Sequence, residues 1–568
     1  MTRGVVLALV VVLWPIGAPQ LIVRVPITVT TTITSPTSSS TYDAGSASSI
    51  TLGGTGSSLR GISGACTWTN SLGGSGTTTG GAVWSITGLS LTVGSNVITV
   101  TCAESGGSVG SDTITVTRSS DTALYVDSDC ANHGNGTASS CAGSPGGAGA
   151  FNDLQLAFDA LDTPGDHLYV CGGADYVTAT GSRGAGAQYD SGFGLSNSGT
   201  VGNLITVENC PGETPILRNC PSSATTFADC NRVTISMWNE SYIRITGLRI
   251  YGAVGVHSDA STTATLPEGN VIDHNEISRG MASSGDGNWS GIWTERQENF
   301  WAHHNNIHDI ENTSLSGAGA QSSAACIKVY SNLNSIFEFN TCNSVAVDES
   351  QSGCWDDKEG TRNSIWRYNK CLNSGACFRT GNQNGTVDGG GYAVTGLLIE
   401  HNVCAVMSHA LTIRDCFRIE AAEFDDGIFR QNTCVSFRNG MQELAPDVDA
   451  SNIQYYSNIV ASAIENNVQS FGVDSDISRL DFNCWDSDVG WSLDSSYSSL
   501  ALLVSGTAFE DHGVETASSF GFTAGSDTDY HLSGGSCVGM ASTDGVSVDS
   551  IDAGAYSEGV TCVGHTCG

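Results

Sequence analysis

The chain has 568 residues, of which 57 are Asp or Glu and 22 are Lys or Arg, giving a formal net charge of −35. This excess of negative charge excludes a general affinity for nucleic acid or for anionic membrane surfaces. Charged residues make up only 14 % of the chain, there are 70 Gly and 11 Pro, and Val, Ile and Thr recur in short runs. The composition predicts many short strands joined by tight turns rather than long helices.

The first residues have the layout of a secretory signal. Arg3 precedes an apolar run from Val5 to Trp14 and small residues near Ala18, which predicts a signal peptide over residues 1–18. The run is too short to cross a bilayer; a membrane anchor is the alternative interpretation. No later stretch reaches spanning length, and the 20 Cys suit an oxidising compartment. We therefore expect a secreted, extracellular protein without a membrane span in its mature form, and we expect a monomer.

Residues 26–119 form one compositional block in which apolar and polar residues alternate, as in SNVITVTCAESGGSVGSDTITVTR. A period of two predicts half-buried strands, and Cys66 and Cys102 are candidates for a bridge between two sheets. The block resembles a bacterial immunoglobulin-like β-sandwich, although Trp68 follows the first Cys by two residues instead of lying mid-domain. The resemblance implies a spacer or binding domain, and no residue in it points to catalysis.

The second part of the chain begins near Asp121 and contains repeats. An Asn followed two places later by Ile, Cys or Val recurs at intervals of 26 to 35 residues, which indicates stacked structural repeats. These residues are Asn275, Asn305, Asn340, Asn369, Asn402, Asn432 and Asn458. Because successive coils of a solenoid lie about 4.8 Å apart, the Asn side chains should hydrogen-bond along a ladder. Cys342, Cys371, Cys404 and Cys434 take the matching inward position, either as small buried side chains or as disulfides.

A short amphipathic helix is predicted ahead of the repeats, from the apolar residues Leu154, Leu156, Ala157, Phe158 and Leu161. Together with YVDSDC, GNGT and HLYVCG around it, this helix resembles the N-terminal segment of the secreted, pectate-lyase-like right-handed parallel β-helix proteins. The resemblance covers residues 121–480. It implies an all-β chain in which a right-handed single-stranded parallel β-helix, capped by the helix, follows the immunoglobulin-like sandwich. Residues 481–568, with YHLSGGSCVG and DAGAY, are predicted to form a β-rich C-terminal cap or tail.

The interior of a β-helix is packed, so function is expected on an outer face. The segments GIWTER, ACIKVY, GCWDDK, ACFRTG and ALTIRD each run from small or apolar residues into charge, which predicts one equivalent strand per coil. The predicted inward residues are Trp293, Ile327, Trp355, Phe378 and Ile413. Side chains alternate along a strand, so the predicted outward residues are Thr294, Lys328, Asp356, Arg379 and Arg414, with Glu295 beside Thr294 and Lys358 on the side of Asp356.

Aromatic and charged side chains concentrate around this predicted face. Aromatic rings suit the apolar faces of sugars, and charges suit acidic groups on them, so we predict a polysaccharide as the partner. The predicted substrate-binding residues are Lys328, Arg414, Glu295, Trp293 and Arg362. In the alternative interpretation, Arg and Asp on adjacent coils only pair with each other.

The stretch DDKEGTRNSIWRYNKCLNSGACFRTGN resembles the core of the alginate lyase and chondroitinase B family of β-helix lyases, polysaccharide lyase family six. That family has a Lys, an Asn some residues later, and Arg-His-Gly-Asn one coil on. Here Lys358, Asn363 and the segment from Arg379 to Asn382 take those places, with Thr380 where the family has His.

The resemblance implies β-elimination on a uronic acid polymer. Lys358 would be the base that removes the proton beside the sugar carboxylate, and Arg379 would stabilise or protonate the leaving oxygen. A Ca²⁺ ion held by Asp356, Asp357 and Glu349 would neutralise the sugar carboxylate and acidify that proton. Asp356 and Asp357 favour the charged form of Lys358, which is not a base, whereas Ca²⁺ and Arg379 would offset this effect.

Other functions stay open at this point. A glycoside hydrolase would pair Asp356 or Asp357 with Glu295 or Asp415 across coils. A carbohydrate-binding protein or adhesin would use the same face without chemistry. HHNNIH (303–308) suggests a zinc site, but His precedes the repeated Asn at three positions, so the repeat itself explains this motif, and no complete ligand set accompanies it.

Overall fold

The computed structural model divides the chain into two compact units, Met1–Ser120 and Asp121–Gly568. It describes residues 28–45, 49–118, 123–173, 175–177, 192–219, 233–258, 265–278, 288–310, 323–345, 353–358, 360–380, 394–405, 415–419, 423–443, 449–461, 463, 465–470, 477–493, 495–507, 509–510, 512–516, 537, 562–563 and 566–567. The predicted signal peptide lies outside these residues. Among them, no helix is both long and apolar enough to cross a membrane.

The N-terminal unit consists of two sheets around one core. The first has three antiparallel strands, Thr30–Ser35, Ser49–Ser57 and Val83–Ser90; the second has five, in the order Thr41–Gly45, Val109–Arg118, Gly94–Ala103, Thr67–Asn70 and Ser75–Thr77. Leu52, Trp84 and Val100 lie in the buried cluster of this unit. Its immunoglobulin-like character stays a prediction.

Cys66 and Cys102 form the expected disulfide, but it does not join two sheets. Thr67 pairs with Thr101 in neighbouring antiparallel strands of the five-stranded sheet, so Cys66 and Cys102 continue the same strand pair. Their Cα atoms are 4.4 Å apart, close to the separation of directly opposed residues in an antiparallel pair. The disulfide therefore links two strands of one sheet.

The second unit is a parallel β-helix, which confirms the predicted fold class. Each coil adds one strand to each of three twelve-stranded sheets. The first sheet contains Ala123–Asp127, His167–Cys171, Ile205–Asn209, Ile243–Thr246, Val271–Asp273, Trp301–His303, Ile336–Glu338, Ile365–Arg367, Leu398–Glu400, Ile428–Arg430, Ile453–Tyr456 and Ile477–Asp481. The second contains Tyr176–Val177, Ile216–Arg218, Arg249–Tyr251, Glu276–Ser278, Asn306–Ile310, Thr341–Val345, Lys370–Leu372, Val403–Ala405, Thr433–Val435, Ile459–Ala461, Cys484–Asp486 and Val514–Thr516.

The third sheet contains Phe193–Leu195, Val233–Trp238, Ala253–His257, Asn288–Glu295, Ser323–Tyr330, Gly353–Lys358, Phe378–Thr380, Phe417–Ile419, Asn439–Glu443, Asn466–Ser470, Gly490–Ser492 and Ser496–Tyr497, of which the last pairs antiparallel. Smaller sheets are formed by Val394–Thr395, Glu423–Asp425 and Asp449–Ser451, and by Cys562–Val563 with Thr566–Cys567. The first sheet ends at residue 481, the third at residue 497 and the second at residue 516.

The described residues include two helices, Leu154–Asp159 and Leu500–Gly506. The first is the predicted amphipathic helix, and the Asp153 side chain caps it by accepting hydrogen bonds from the backbone N–H groups of Gln155 and Leu156. Leu154, Ala157 and Phe158 are buried in the core shared with the first coils. Leu156, predicted to be part of the apolar face, is 46 % exposed, because a residue two positions away points to a different side of a helix.

The Asn ladder is confirmed and is longer than predicted. The backbone N–H and the Nδ2 group of Asn275 both donate to Oδ1 of Asn305 at 3.1 Å. The same double contact is repeated from coil to coil up to Asn483, whose Nδ2 donates to Glu510 Oε1 at 2.6 Å. Asn483 was missed because Trp485, and not Ile, Cys or Val, follows it two places later. Each Asn thus satisfies buried polar groups of two coils and fixes their register.

The residue before each ladder Asn has a left-handed backbone. His274, His304, Phe339, Tyr368 and His401 have φ values of 54–56°. Their rings stack in one continuous row with centroid separations of 4.8 to 5.0 Å. One coil earlier, Gly247 occupies the equivalent position with φ of 68°, a conformation that costs Gly less than other residues. The positive φ turns the chain from the first sheet into the second.

Four disulfides connect the third sheet to the second sheet of the following coil. They are Cys326–Cys342, Cys354–Cys371, Cys377–Cys404 and Cys416–Cys434. All eight sulfur atoms belong to the buried core cluster. Of the two interpretations of the inward Cys row, the structure therefore supports disulfides.

Candidate functional site

The third sheet presents one continuous row of outward side chains. Ile292, Ile327, Trp355, Phe378 and Phe417 are paired in register and belong to the core. The residues that follow them are paired in the same way and face outward: Trp293, Lys328, Asp356, Arg379 and Arg418. The row confirms the predicted directions of Lys328, Asp356 and Arg379.

The predicted register was wrong on two other coils. Trp293 faces outward and Thr294 faces inward, where its hydroxyl accepts a hydrogen bond from Asn332 Nδ2 at 3.0 Å. Arg418, not Arg414, follows Arg379 in the row; Arg414 lies outside the described residues. A slip by one residue exchanges the two faces of a strand. The signal that locates Arg418 is the repeated Cys-Phe-Arg of residues 377–379 and 416–418.

A second outward row runs beside the first, two residues further along each strand. Glu295 pairs in register with Tyr330, and Tyr330 pairs with Lys358. His257 precedes them, with its Nδ1 2.8 Å from Glu295 Oε2. Sequence analysis missed Tyr330 and His257, because neither carries a motif and only the register places them on this face.

Lys328, Asp356, Lys358 and Arg379 form the charged cluster at the centre of this face. Asp356 Oδ2 lies 3.1 Å from Lys358 Nζ and 3.7 Å from Lys328 Nζ, and Asp356 Oδ1 lies 3.9 Å from Arg379 Nε. Lys328, Asp356 and Arg379 are 1–2 % exposed, whereas Lys358 is 8 % exposed. The cluster is therefore nearly buried, and Lys358 is its most accessible member.

The charges of the cluster shift one another's protonation. Burial by itself would raise the pKa of Asp356, but Arg379, Lys358 and Lys328 outweigh burial and hold that pKa below its usual value. Burial, helped by the like charges of Lys358 and Arg379, lowers the pKa of the Lys328 ammonium well below its usual value. Asp356 is thus an anion that fixes the positions of the surrounding cations.

Asp357 does not join this cluster. It lies in the inward row with Val329, Thr380 and Ile419, and its Oδ2 accepts a hydrogen bond from the core Trp366 Nε1 at 2.8 Å. Burial raises the pKa of Asp357 to about 7, against the opposing effect of the Trp366 hydrogen bond. Asp356 and Asp357 face opposite sides of one strand because side chains alternate.

These positions do not fit the predicted calcium site. Ca²⁺ needs several oxygen ligands that converge on one point, whereas Asp356 lies among three cations and Asp357 faces the core. Glu349, the third predicted ligand, lies outside the described residues. We therefore assign no step of the chemistry to calcium.

The two remaining predicted residues lie away from the centre of the cluster. Arg362 is exposed in the turn that leads from the third sheet to the first, where it bridges in register to Leu333 and Thr395. Asp415 is buried before the strand of Arg418; its Oδ1 accepts a hydrogen bond from Asn439 Nδ2 at 2.6 Å, and its Oδ2 is 4.0 Å from Arg418 Nη1.

Of the histidines in HHNNIH, His303 lies in the first sheet, His304 in the turn that follows it and His308 in the second sheet. Asp273, His274 and His303 offer ligand atoms within 4.8 Å of one another. However, Arg244 already binds Asp273 through two hydrogen bonds of 2.8 and 2.6 Å, and this cation opposes a metal ion at the same carboxylate. Burial lowers the pKa of His303 to about 4. Packing of the neutral His303 ring beside the Asn ladder accounts for this histidine without a metal ion.

No known protein-family model matches the chain, and no curated protein sequence matches it. Among solved structures, the chain is similar to a native GH136 lacto-N-biosidase from Eubacterium ramulus, with a TM-score of 0.36 and 10 % identity, over 70 % of this chain and 67 % of that one. It is also similar to an alginate lyase from Paenibacillus sp. str. FPU-7, with a TM-score of 0.29 and 17 % identity, over 56 % of this chain and 92 % of that one. Likenesses this distant carry no argument about chemistry, so the function is argued from the residues.

Proposed function

We propose that this protein is an extracellular enzyme that cleaves an acidic polysaccharide containing uronic acid by β-elimination. The observation that carries the proposal is the convergence of Lys328, Lys358 and Arg379 around Asp356 on one outward face. Clustered cations suit a sugar carboxylate, and a guanidinium binds a carboxylate with two parallel hydrogen bonds. Lysine amines also serve as bases when their surroundings disfavour the charged form.

Lys358 is the proposed base because it is the accessible edge of the charged cluster. Its Nζ lies 6.0 Å from the centre of the Tyr330 ring, so a sugar resting on that side meets Lys358 first. The Lys358 amine takes the proton from the carbon next to the sugar carboxylate, and the electron pair forms a double bond to the neighbouring carbon. The bond from that carbon to the glycosidic oxygen breaks, and Arg379 stabilises the departing oxygen until it is protonated.

The disulfides support the extracellular location. The described residues form eight disulfides. Four of these are the ones that connect the third sheet to the second sheet. Disulfides persist in oxidising compartments and are rare in the cytosol. Secretion by the predicted signal peptide and the monomeric state belong to the proposal.

Incubation with a panel of alginate, pectate and chondroitin tests the reaction type. Elimination makes an unsaturated sugar that absorbs ultraviolet light, hydrolysis makes reducing ends without that absorbance, and a binding protein makes neither. Running the panel with added Ca²⁺ and with a chelator tests the calcium prediction in the same assay. Full activity of a Lys358→Ala variant on a polymer that the protein cleaves would show that Lys358 is not the base.

A glycoside hydrolase is the second candidate, and the outward position of Glu295 favours it. Glu295 lies on the same face as Asp356, one coil before Lys328, so two carboxylates border one surface as hydrolysis requires. Asp357, the other carboxylate considered for this role, faces the core and is not available to a sugar. Release of reducing ends without ultraviolet absorbance, abolished by Glu295→Gln, would favour this candidate over elimination.

A further inference from the structure

The Asn ladder ends on a residue that is not an Asn. Val514 pairs in register with Cys484, so Gly513 holds the position that Asn483 holds one coil earlier. Glycine has no side chain with which to continue the ladder. The carboxyl group of Glu510 fills the place instead: its Oε1 accepts a hydrogen bond from Asn483 Nδ2 at 2.6 Å, and its Oε2 accepts one from the Asn483 backbone N–H at 3.3 Å.

The backbone around Glu510 holds its side chain in this place. Glu510 is left-handed, with φ of 60°; its N–H donates to the Leu480 carbonyl at 2.7 Å, and its carbonyl accepts a hydrogen bond from the Gly513 N–H at 3.0 Å. A Cβ atom at Gly513 would overlap Glu510 Oε2, so the carboxyl group occupies the space of the missing ladder side chain. Glu510 is 1 % exposed, and a charge there would be without water.

Glu510 lies just before the strand Val514–Thr516, which ends the second sheet. The first N–H of this strand donates to the Asn483 carbonyl at 2.9 Å. Glu515 Oε2 accepts a hydrogen bond from the N–H of Leu500, the first residue of the second helix, at 3.1 Å. The last strand therefore ties this helix to the end of the ladder, and Glu510 is its inward anchor.

Burial raises the pKa of Glu510 to about 8, against the opposing effect of the hydrogen bonds that it accepts. Two segments packed against Glu510 carry other titratable or charged groups. The strand that ends at Asp481 contributes that carboxylate, whose negative charge also raises the pKa of Glu510, and Arg479, whose guanidinium lies 3.9 Å from the centre of a tyrosine ring. The segment after Glu510 contributes His512, with Nδ1 2.9 Å from Asp481 Oδ2.

We propose that Glu510 is a protonation-dependent latch: its neutral form holds the last strand on the β-helix, and its ionisation loosens that strand. Release of the strand exposes the carboxyl group to water, where its pKa is about 4.3. The docked strand is therefore held fully below about pH 4, and this support is lost as pH rises to the raised value of about 8. Between these values the released population grows about tenfold per pH unit. An amide at the same place does not ionise and gives no such dependence.

Hydrogen exchange of the full chain at pH 5, 6 and 7 measures this release, with each rate divided by the intrinsic rate at that pH. We expect the protection of the Val514–Thr516 amides to fall about tenfold per pH unit. Glu510→Gln keeps the shape of the side chain without its ionisation and should remove the dependence. The double variant Glu510→Ala, Gly513→Asn puts an amide at the ladder position and should remove it as well. Protection of Thr433–Val435, an inner strand of the same sheet, should not respond to these variants.

Glu465→Gln is the matched control, because the Glu465 side chain is 46 % exposed, with Oε2 2.7 Å from Arg438 Nε; it should keep the pH dependence of the unmodified protein. His512→Gln should keep the dependence too, although it removes the other titratable group of the segment. Protection of the last strand that does not change with pH in the unmodified protein would overturn the proposal. A dependence that survives in Glu510→Gln would also overturn it, as would one that disappears in His512→Gln.

Discussion

The outward faces of the first and third sheets carry charges in different arrangements. On the first sheet, Arg367 Nε is 2.6 Å from Glu338 Oε2, and Arg430 Nη2 is 2.6 Å from Glu400 Oε2. Each of these arginines has its own carboxylate on the adjacent coil. On the third sheet, three cations approach the single carboxylate of Asp356 at 3.1 to 3.9 Å.

The two arrangements differ in the number of cations around each carboxylate. One-to-one pairs across coils are the sheet equivalent of ordinary cross-strand pairs and need no further role. Crowding like charges in a buried place costs free energy, and proteins maintain such arrangements mainly where binding or catalysis uses them. Ion pairing alone accounts for the charges of the first sheet, whereas a role of the charged cluster in binding or catalysis is part of the proposed function.

The largest expected effect is on activity. Lys358→Ala should lower the rate of unsaturated product formation by about 10²–10⁴-fold, the usual contribution of a general base. Arg367→Ala removes a cation of the first sheet and should leave the rate nearly unchanged. Initial rates by ultraviolet absorbance, with circular dichroism to verify folding, check both variants. Comparable losses in the two variants would remove the distinction between the sheets.

The second largest expected effect is on stability, where a carboxylate of the charged cluster should contribute more than a carboxylate of the first sheet. Asp356→Asn should lower the free energy of unfolding by about 3–5 kcal/mol, because it removes the carboxylate that three buried cations share. Glu400→Gln should lower it by about 0–1 kcal/mol, because the Arg430 side chain is 30 % exposed and partly screened by water. Urea unfolding followed by tryptophan fluorescence measures both changes. A larger loss for Glu400→Gln would contradict the assignment.

The disulfides beneath the charged cluster offer a third comparison. Cys354 is two residues before Asp356, and its disulfide with Cys371 closes a separation of 17 residues. Replacing both Cys by Ala should lower the free energy of unfolding by about 3 kcal/mol and should also reduce activity, because the strand that carries Asp356 and Lys358 loses its anchor. Replacing Cys130 and Cys141, whose disulfide lies before the first helix, should leave the activity of the folded protein unchanged.

The inward carboxylate should control how stability depends on pH. The pKa of Asp357 is raised to about 7, above the value of about 3.9 of an unfolded chain. The contribution of protonated Asp357 to the free energy of unfolding is therefore complete below pH 4 and is lost as pH rises through 7. Asp357→Asn should remove about 2 kcal/mol of the decline in stability between pH 5 and pH 7. Urea unfolding at both pH values measures this, and an unchanged decline would show that Asp357 ionises normally in the folded protein.

The repeats and the β-helix could be derived from the sequence alone. The ladder Asn residues recur at nearly constant intervals, and the amide side chain of each can hydrogen-bond to the equivalent Asn on the next coil. The recurrence from Asn275 to Asn458 therefore predicts one stacked architecture. The helix ahead of the coils could also be predicted, because its apolar pattern lies within a few consecutive residues.

The composition of the site was decided only by the tertiary structure. Whether Trp293 or Thr294 faces outward, and whether Arg414 or Arg418 continues the row, depends on strand register, and segments of variable length between the strands hide that register from the sequence. Asp356 and Asp357 look equivalent in the sequence, yet alternation along the strand places one among cations and the other against Trp366. Burial and ion pairing arise from contacts between coils, and a pattern along one chain does not record them.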